Sequence, residues 1–206
     1  LALKSLRSQM NPHFIYNSLN SVNNFISKND ERSANKYLSD FSKLMRAVME
    51  NSKHDFVSLK SEIDILEVYL RLEHSRFSDK FDYQFTVSEE LNTEQIQVPP
   101  MLIQPFIENA VWHGLRYLEN KGFLSVKIDS DDKNLKISIE DNGIGRAKSA
   151  ELKTRYQKEH TSTGLRNIHG RIELLNRLFN LKININIDDI DHNGETGTRV
   201  VVWFPL

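Results

Sequence analysis

A chain of 206 residues without cysteine has room for a packed core but no disulfide framework and no thiolate metal site, and a reducing compartment is compatible with it. Its 27 Lys plus Arg nearly balance 28 Asp plus Glu, for a net charge of −1, which leaves no electrostatic case for nucleic-acid binding. No run of about 18 apolar residues is long enough to span a membrane. No signal peptide is visible either, and the chain opens at Leu1 already inside a helical pattern, as a fragment of a longer protein would.

Leu3, Leu6 and Met10 recur at helical spacing, and Ile15, Leu19, Val22 and Ile26 resume it one residue out of phase. The spacing predicts a helix over 1–28, bent or shifted at Pro12 because proline removes a backbone donor. On a helix turning about 100° per residue, His13, Asn17, Asn20 and Asn24 share one side, away from the apolar stripe. His13 is therefore expected to face outward on a packed helix, well placed for chemical modification. Asp30 can cap a second helix, in which Ala34, Leu38, Phe41, Met45 and Val48 keep the same rhythm to about Glu50. Two short amphipathic helices bury their stripes best by pairing with another copy as a four-helix bundle, so a homodimer is expected. After the polar break Asn51-Ser-Lys-His-Asp55, Ser58 caps a third helix with the stripe Leu59, Ile63, Leu66 and Leu70, continuing toward Phe77. Its Glu62, Glu67, Tyr69, Glu73 and Arg76 fall on other faces and read mostly as a solvated surface with intrahelical pairs.

From Phe81 the period changes to two, with Phe81, Tyr83, Phe85 and Val87 alternating as in a strand. Val98-Pro-Pro100 precedes a helix over roughly 101–115. Its apolar side is Ile103, Phe106, Ile107, Ala110 and Val111, and Asn109 and His113 share the other side. Strands follow at about 123–129 and 134–140 around the Asp131-Asp132 turn. Arg146–Thr163 is polar and weakly periodic, which predicts a mobile loop serving as a lid. Gly164–Phe179 reads as a helix, and 182–188 and 197–204 as closing strands. The fold class is α+β: a helical hairpin over 1–57, a linking helix over 58–80, and a block over 81–206 that layers helices on a mostly antiparallel sheet.

Four stretches of the second half carry chemistry. Glu108-Asn-Ala-Val-Trp-His113 sets a carboxylate, an amide and an imidazole along one helix, and an amide oxygen beside a carboxylate suits magnesium, a hard cation. Asp141-Asn-Gly-Ile-Gly145 follows directly on a strand; its glycines let backbone approach a ligand, and Asp141 can accept a hydrogen bond from an exocyclic amine such as that of adenine. Thr163-Gly164-Leu-Arg-Asn167 opens a helix, a ready anion site. Gly194-Glu-Thr-Gly-Thr198 can supply a hydroxyl and close backbone. Each has an ordinary reading as a turn, a solvent-facing amide or a relief of crowding. Four in this order are hard to explain that way, and none is a Walker loop or a dinucleotide-binding Gly-x-Gly-x-x-Gly.

In order, the four resemble the N box, G1 box, G2 box and final Gly-Thr element of the ATP-binding domain shared by histidine kinases, gyrase-type ATPases and related chaperones. Gln9-Met-Asn-Pro-His-Phe-Ile-Tyr-Asn17, with Leu59-Lys-Ser-Glu62 and Tyr69-Leu-Arg-Leu-Glu-His-Ser-Arg-Phe77, resembles the sensor kinases of the LytS type. This resemblance covers nearly the whole chain. It implies a dimerisation and phosphotransfer hairpin followed by an α/β sandwich of the histidine-kinase, gyrase and Hsp90 type. It also implies magnesium- and ATP-dependent phosphorylation of His13, then transfer to an aspartate of a response regulator. By the same resemblance Asn109 holds Mg2+ on the ATP phosphates, with Glu108 as base or metal-positioning group. Asp141 reads the adenine amine, and Gly143 and Gly145 shape that pocket. Gly164 and Leu165 offer backbone N–H groups to the phosphates, His113 approaches them from the N-box helix, and Thr198 lies under the adenine. The parent protein would be attached to the membrane through segments upstream of Leu1, with this region on the cytoplasmic face. Two departures are visible. Phe14 stands where the commoner kinases carry an acidic residue, which leaves the base for His13 open between Glu108 and, for orientation only, Asn17. Ser162-Thr-Gly164 stands where relatives read Gly-x-Gly. The rival readings are a gyrase- or chaperone-like ATPase that drives a clamp and a dimeric scaffold that binds nucleotide without kinase activity.

Overall fold

The computed structural model describes residues 12–77, 79–131, 133–152, 168–192 and 195–206. Helix α1 (Pro12–Ser27) turns through Asn29, at φ +55, into α2 (Glu31–Asn51), whose N-terminus is capped by Asp30 accepting from the Ser33 N–H at 3.0 Å. The buried line of the hairpin is Phe14, Ser18 and Ser21 on α1 against Ala34, Tyr37, Leu44 and Val48 on α2. On α1 it runs beside the predicted stripe, whereas on α2 it keeps Ala34 and Val48 of the predicted stripe and adds Tyr37 and Leu44. The large rings decide this: Phe14 packs on Phe41 at 6.0 Å and Phe25 on Tyr37 at 5.9 Å, turning α1 to bury them. The outward row of amides is broken as a result, since Asn17 is buried while Asn20 and Asn24 stay exposed. Leu19, Ile26, Leu38 and Met49 are left largely exposed along the hairpin.

Strand β1 (Val57–Ser58) pairs antiparallel with β3 (Gln97–Val98). Ser58 then caps α3 (Leu59–Arg76), accepting from the Ser61 N–H at 3.2 Å as predicted. The solvated face read for α3 holds for Glu67 but fails for Glu62, Tyr69 and Glu73, all fully buried. The reason is tertiary: α2 covers one side of α3, and the β-sheet half covers the other. Glu62 accepts from the Met101 N–H at 2.9 Å and is favoured by the Leu102 and Ile103 N–H groups, so it caps the next helix from a distance. Arg171 closes the same turn by donating to the Met101 carbonyl at 2.9 Å and to the Pro100 carbonyl.

That helix begins later than the pattern suggests, because Met101 (φ +56) lies outside the helical range, and Pro105 falls in its first turn, where proline is tolerated. It comprises α4 (Gln104–Asn109), a π-helical turn (Ala110–Gly114) and a 3-10 turn (Leu115–Tyr117). The five-stranded sheet has the order β2 (Phe81–Val87), β4 (Gly122–Asp131), β5 (Asn134–Asp141), β7 (Glu195–Pro205), β6 (Asn184–His192), parallel only between β2 and β4. Period-two alternation turns Leu124, Val126 and Ile128, Leu135, Ile137 and Ile139, and Val200, Val202 and Phe204 into one buried face. Part of the predicted lid loop is ordered: Gly145–Leu152 forms helix α5, rich in the good helix formers Ala, Lys, Glu and Leu. It buries only Ser149, which explains the weak periodicity. Residues 153–163, with Gly164 and Leu165, lie outside the described residues. Helix α6 (168–179) occupies the described part of the predicted helix.

Candidate active site

β5 ends on Asp141, the next inward position after Leu135, Ile137 and Ile139, so the alternation that buries three apolar side chains also buries a carboxylate. Its Oδ1 accepts from the Gly143 N–H at 2.9 Å. Three glycines crowd around it. A Cβ on Gly114 would lie 2.7 Å from Asp141 Oδ1, and one on Gly143 would lie 2.5 Å from the Gly114 carbonyl carbon. On Gly197 it would lie 2.0 Å from the Asp141 carbonyl oxygen. Burial pushes the Asp141 carboxyl up to about 7, against the pull of the Gly143 N–H, and neighbouring Glu140 raises it further.

Asp141 opens into a cavity. From α4 and its π-helical turn come Asn109, His113 and Gly114, and from β7, directly across from Asp141, comes Thr198. A π-helical turn is wider than an α-turn, which sets residues four and five apart on one side and brings His113 and Gly114 into line with Asn109. Gly145 (φ +75) and Arg146 line the mouth at the start of α5. Arg146 is held bidentate by Asp189 of β6 at 2.6 and 2.9 Å, and the Thr196 hydroxyl donates to the Gly143 carbonyl at 2.8 Å. Apolar walls from Phe106, Ile139, Ile187 and Val200 around one buried carboxylate suit a flat heteroaromatic ring that offers an amine to Asp141.

The structure thus brings together Asn109, His113, Asp141, Gly145 and Thr198, with Gly143 behind Asp141. Glu108 is not among the cavity-lining residues: it takes a hydrogen bond from the Gln104 amide at 3.1 Å and acts electrostatically on Glu73 and Tyr69, on the α3 side of its helix. His13 lies in the first turn of α1, and its side chain is outside the described part. Gly114, Arg146 and Thr196 are not expected as individual site residues from the sequence, although Thr196 lies in the Gly194–Thr198 stretch, Arg146 opens the predicted lid, and Gly114 is an isolated glycine in a helical pattern. Among the described residues no group of three or more His, Cys, Asp or Glu could hold a metal ion. The single amide oxygen of Asn109 at the cavity fits a magnesium ion that keeps its waters and takes its other ligands from phosphate.

Residues 99–206, more than half of the chain, match the family described as histidine kinase-, DNA gyrase B-, and HSP90-like ATPase, and the chain belongs to that family. Residues 1–81 match the histidine kinase family, ahead of the ATPase match along the chain. It is 30% identical over 174 residues to the sensor histidine kinase YpdA of Escherichia coli (strain K12), covering 84% of this chain and 30% of that protein. It is also 30% identical over 208 residues to the sensor protein LytS of Bacillus subtilis (strain 168), covering 99% of this chain and 34% of that protein. The chain therefore spans about a third of the length of these relatives. A solved structure, the mycobacterial sensor histidine kinase MprB, matches with a TM-score of 0.50 at 16% identity, over 74% of this chain and 97% of that one, a likeness of fold. The LytS-type resemblance and the α+β class are both borne out. Among the described residues no helix is long and apolar enough to cross a membrane.

Proposed function

We propose that this chain binds ATP with magnesium, moves the γ-phosphoryl group onto His13, and passes it to an aspartate of a response regulator. The observation that carries the reading is the buried Asp141, ringed by Gly114, Gly143 and Gly197, with Asn109 and His113 on the facing helix. Asp141 accepts the adenine amine, and Thr198 lies under the ring beside Gly143 and Gly145. By the kinase resemblance the backbone N–H groups of Gly164 and Leu165 receive the phosphates, and His113 approaches the phosphates from the N-box helix. Asn109 holds the magnesium, which when bound neutralises phosphate charge. A neutral ring nitrogen of His13 attacks in line, the N–P bond forms as the bond to the ADP oxygen breaks, and the other ring nitrogen gives up its proton. Positioning and charge neutralisation supply most of such catalysis. The place of Glu108 on the α3 side favours it as the group that takes this proton over a metal-positioning role, and buried Asn17 fits an orienting one.

The division into a phosphotransfer hairpin (1–57), a linking helix (58–80) and an ATP-binding domain (81–206) belongs to the same reading. So does a homodimer through the exposed flank of Leu19, Ile26, Leu38 and Met49. Leu19→Glu is expected to leave a monomer in light scattering. Attachment of the parent protein to the cytoplasmic face of a membrane is proposed from its LytS-type relatives. The test of the whole reading is incubation with γ-labelled ATP and magnesium, beside His13→Gln and Asn109→Ala. Acid-labile label lost from both variants is expected. Label persisting in His13→Gln would move the acceptor elsewhere, and bound ATP without label would leave a nucleotide-binding scaffold.

A further inference from the structure

The second half of α3 carries a buried polar cluster that the nucleotide cavity does not use. Tyr69 and Glu73 sit one turn apart, and neither is exposed at all. Arg76 follows, its guanidinium 4.6 Å from the Trp112 ring and 4.7 Å from Phe77. Trp112 belongs to the π-helical turn three residues past Asn109, and its indole reaches toward both the Tyr69 phenol and the Glu73 carboxylate. On the opposite side, the ring of Phe14, the residue after His13, packs on Tyr69 at 5.2 Å. Tyr37 of α2 lies near enough to Glu73 and Arg76 to be perturbed by their charges, and its hydroxyl donates to Ser18 of α1 at 3.5 Å. A continuous line of contacts therefore runs from the acceptor helix through Tyr69 and Glu73 to the turn that follows Asn109.

This arrangement is a poor way to build stability. Neither Glu73 oxygen makes a hydrogen bond of good geometry, and burial raises the carboxyl to about 7 even with Arg76 beside it. Apolar residues of similar volume fill such a space at least as well. We propose that Tyr69, Glu73 and Trp112 are positioning residues that set the acceptor helix against the ATP-binding helix in the orientation phosphoryl transfer requires. The inference rests on His13 being the acceptor. The shape of the cluster, directional groups on three helices and a ring seated next to His13, fixes a mutual orientation that apolar packing leaves free to slide.

The test compares Glu73→Gln and Tyr69→Phe, both close in shape to the native side chains, with the unaltered chain and with His13→Gln. Initial rates of labelling are measured across ATP concentrations, with nucleotide binding and thermal melting in parallel. The maximal rate is expected to fall by about tenfold or more in both variants, as a small misplacement of reacting groups does. KM for ATP and nucleotide binding should stay within about twofold, and the melting temperature should hold or rise, because the cavity is untouched and Glu73→Gln removes a costly buried charge while Tyr69→Phe removes a poorly paired buried hydroxyl. Unchanged maximal rates, with label absent from His13→Gln, would overturn this inference and leave the acceptor reading intact. Rate, binding and melting temperature falling together would also overturn it, since that is ordinary loss of structure. Label persisting in His13→Gln would overturn the acceptor reading and this inference with it.

Discussion

Two buried carboxylates, Asp141 and Glu73, are raised to about 7 by the same cause, burial, yet stand in different surroundings. Asp141 is held by backbone: one N–H donor, three glycines pressed around it, no cation among the described groups that shift it, and an open cavity in front. Glu73 is held by side chains from three helices, with Arg76 and Trp112 favouring its charge, and it is not among the cavity-lining residues. A buried charge with an open side is placed to meet a ligand. A buried charge enclosed by side chains of several elements is placed to hold those elements together.

The contrast can be broken first at Asp141. Asp141→Asn is expected to abolish measurable ATP binding in calorimetry, because the amide that replaces the carboxylate is a weaker acceptor for the amine. The same variant should melt higher than the unaltered chain above pH 7, where the native carboxylate is charged against its burial. Binding lost in Glu73→Gln as well would erase the distinction between the two sites.

The glycine cradle gives the next effect. Gly197→Ala puts a methyl group against the Asp141 carbonyl oxygen, and the β5–β7 pair must shift to admit it. A loss of roughly 1–3 kcal/mol is expected in denaturant unfolding, together with weakened nucleotide binding. Gly170→Ala, where nothing lies within 4 Å of the added Cβ, is the control and should be near neutral or stabilising.

pH separates the sites further. Both groups have folded values raised above the ordinary ones, from 3.8 for Asp141 and 4.5 for Glu73 to about 7. Their favourable contribution is therefore fully present at low pH and is lost as pH rises from those ordinary values through about 7, where the folded state has been holding more protons. Only Asp141 should couple this to nucleotide. Below pH 7 ATP binding is expected to release protons, seen as a buffer-dependent heat in calorimetry, and the signal should vanish in Asp141→Asn but survive in Glu73→Gln.

The smallest effect is expected from Glu140→Gln. Glu140 is exposed to solvent and paired with Arg199 at 2.7 Å, but it also raises Asp141. Removing its charge should move the pH midpoint of nucleotide binding down by less than about one unit, with little change in stability, as for most exposed pairs. A large shift would mean that the field at Asp141 comes from neighbouring charge and not from burial.

Much of this molecule could be read from local pattern. The period of two along β5 places Asp141 inward after Leu135, Ile137 and Ile139, and Ser58 three residues before Ser61 marks a helix start. The order of the four chemical stretches pointed to the ATP-binding domain, because close backbone approach and phosphate contact demand glycine at fixed places, and the Asn-Pro-His-Phe box around His13 pointed to the kinase type. Periodicity reports the strongest apolar face of an element and is silent about a second covering. Glu62, Tyr69 and Glu73 therefore read as surface, although α3 lies between the hairpin and the sheet half. The helix α5 escaped for the converse reason: it buries only Ser149 and so leaves almost no apolar rhythm.

By itself, then, the sequence determined the α+β class, the succession of helices and strands, and the residue types of the site, all set by near neighbours in the chain. Tertiary structure alone decided which flank of the hairpin is buried, through the seating of Phe14 and Phe25. It also turned Glu108 toward α3 while Asn109 faces the cavity, and it closed Gly114, Gly143 and Gly197 around one carboxylate. These outcomes depend on atoms far apart in the chain competing for the same volume, and spacing along a single helix or strand carries no record of that competition.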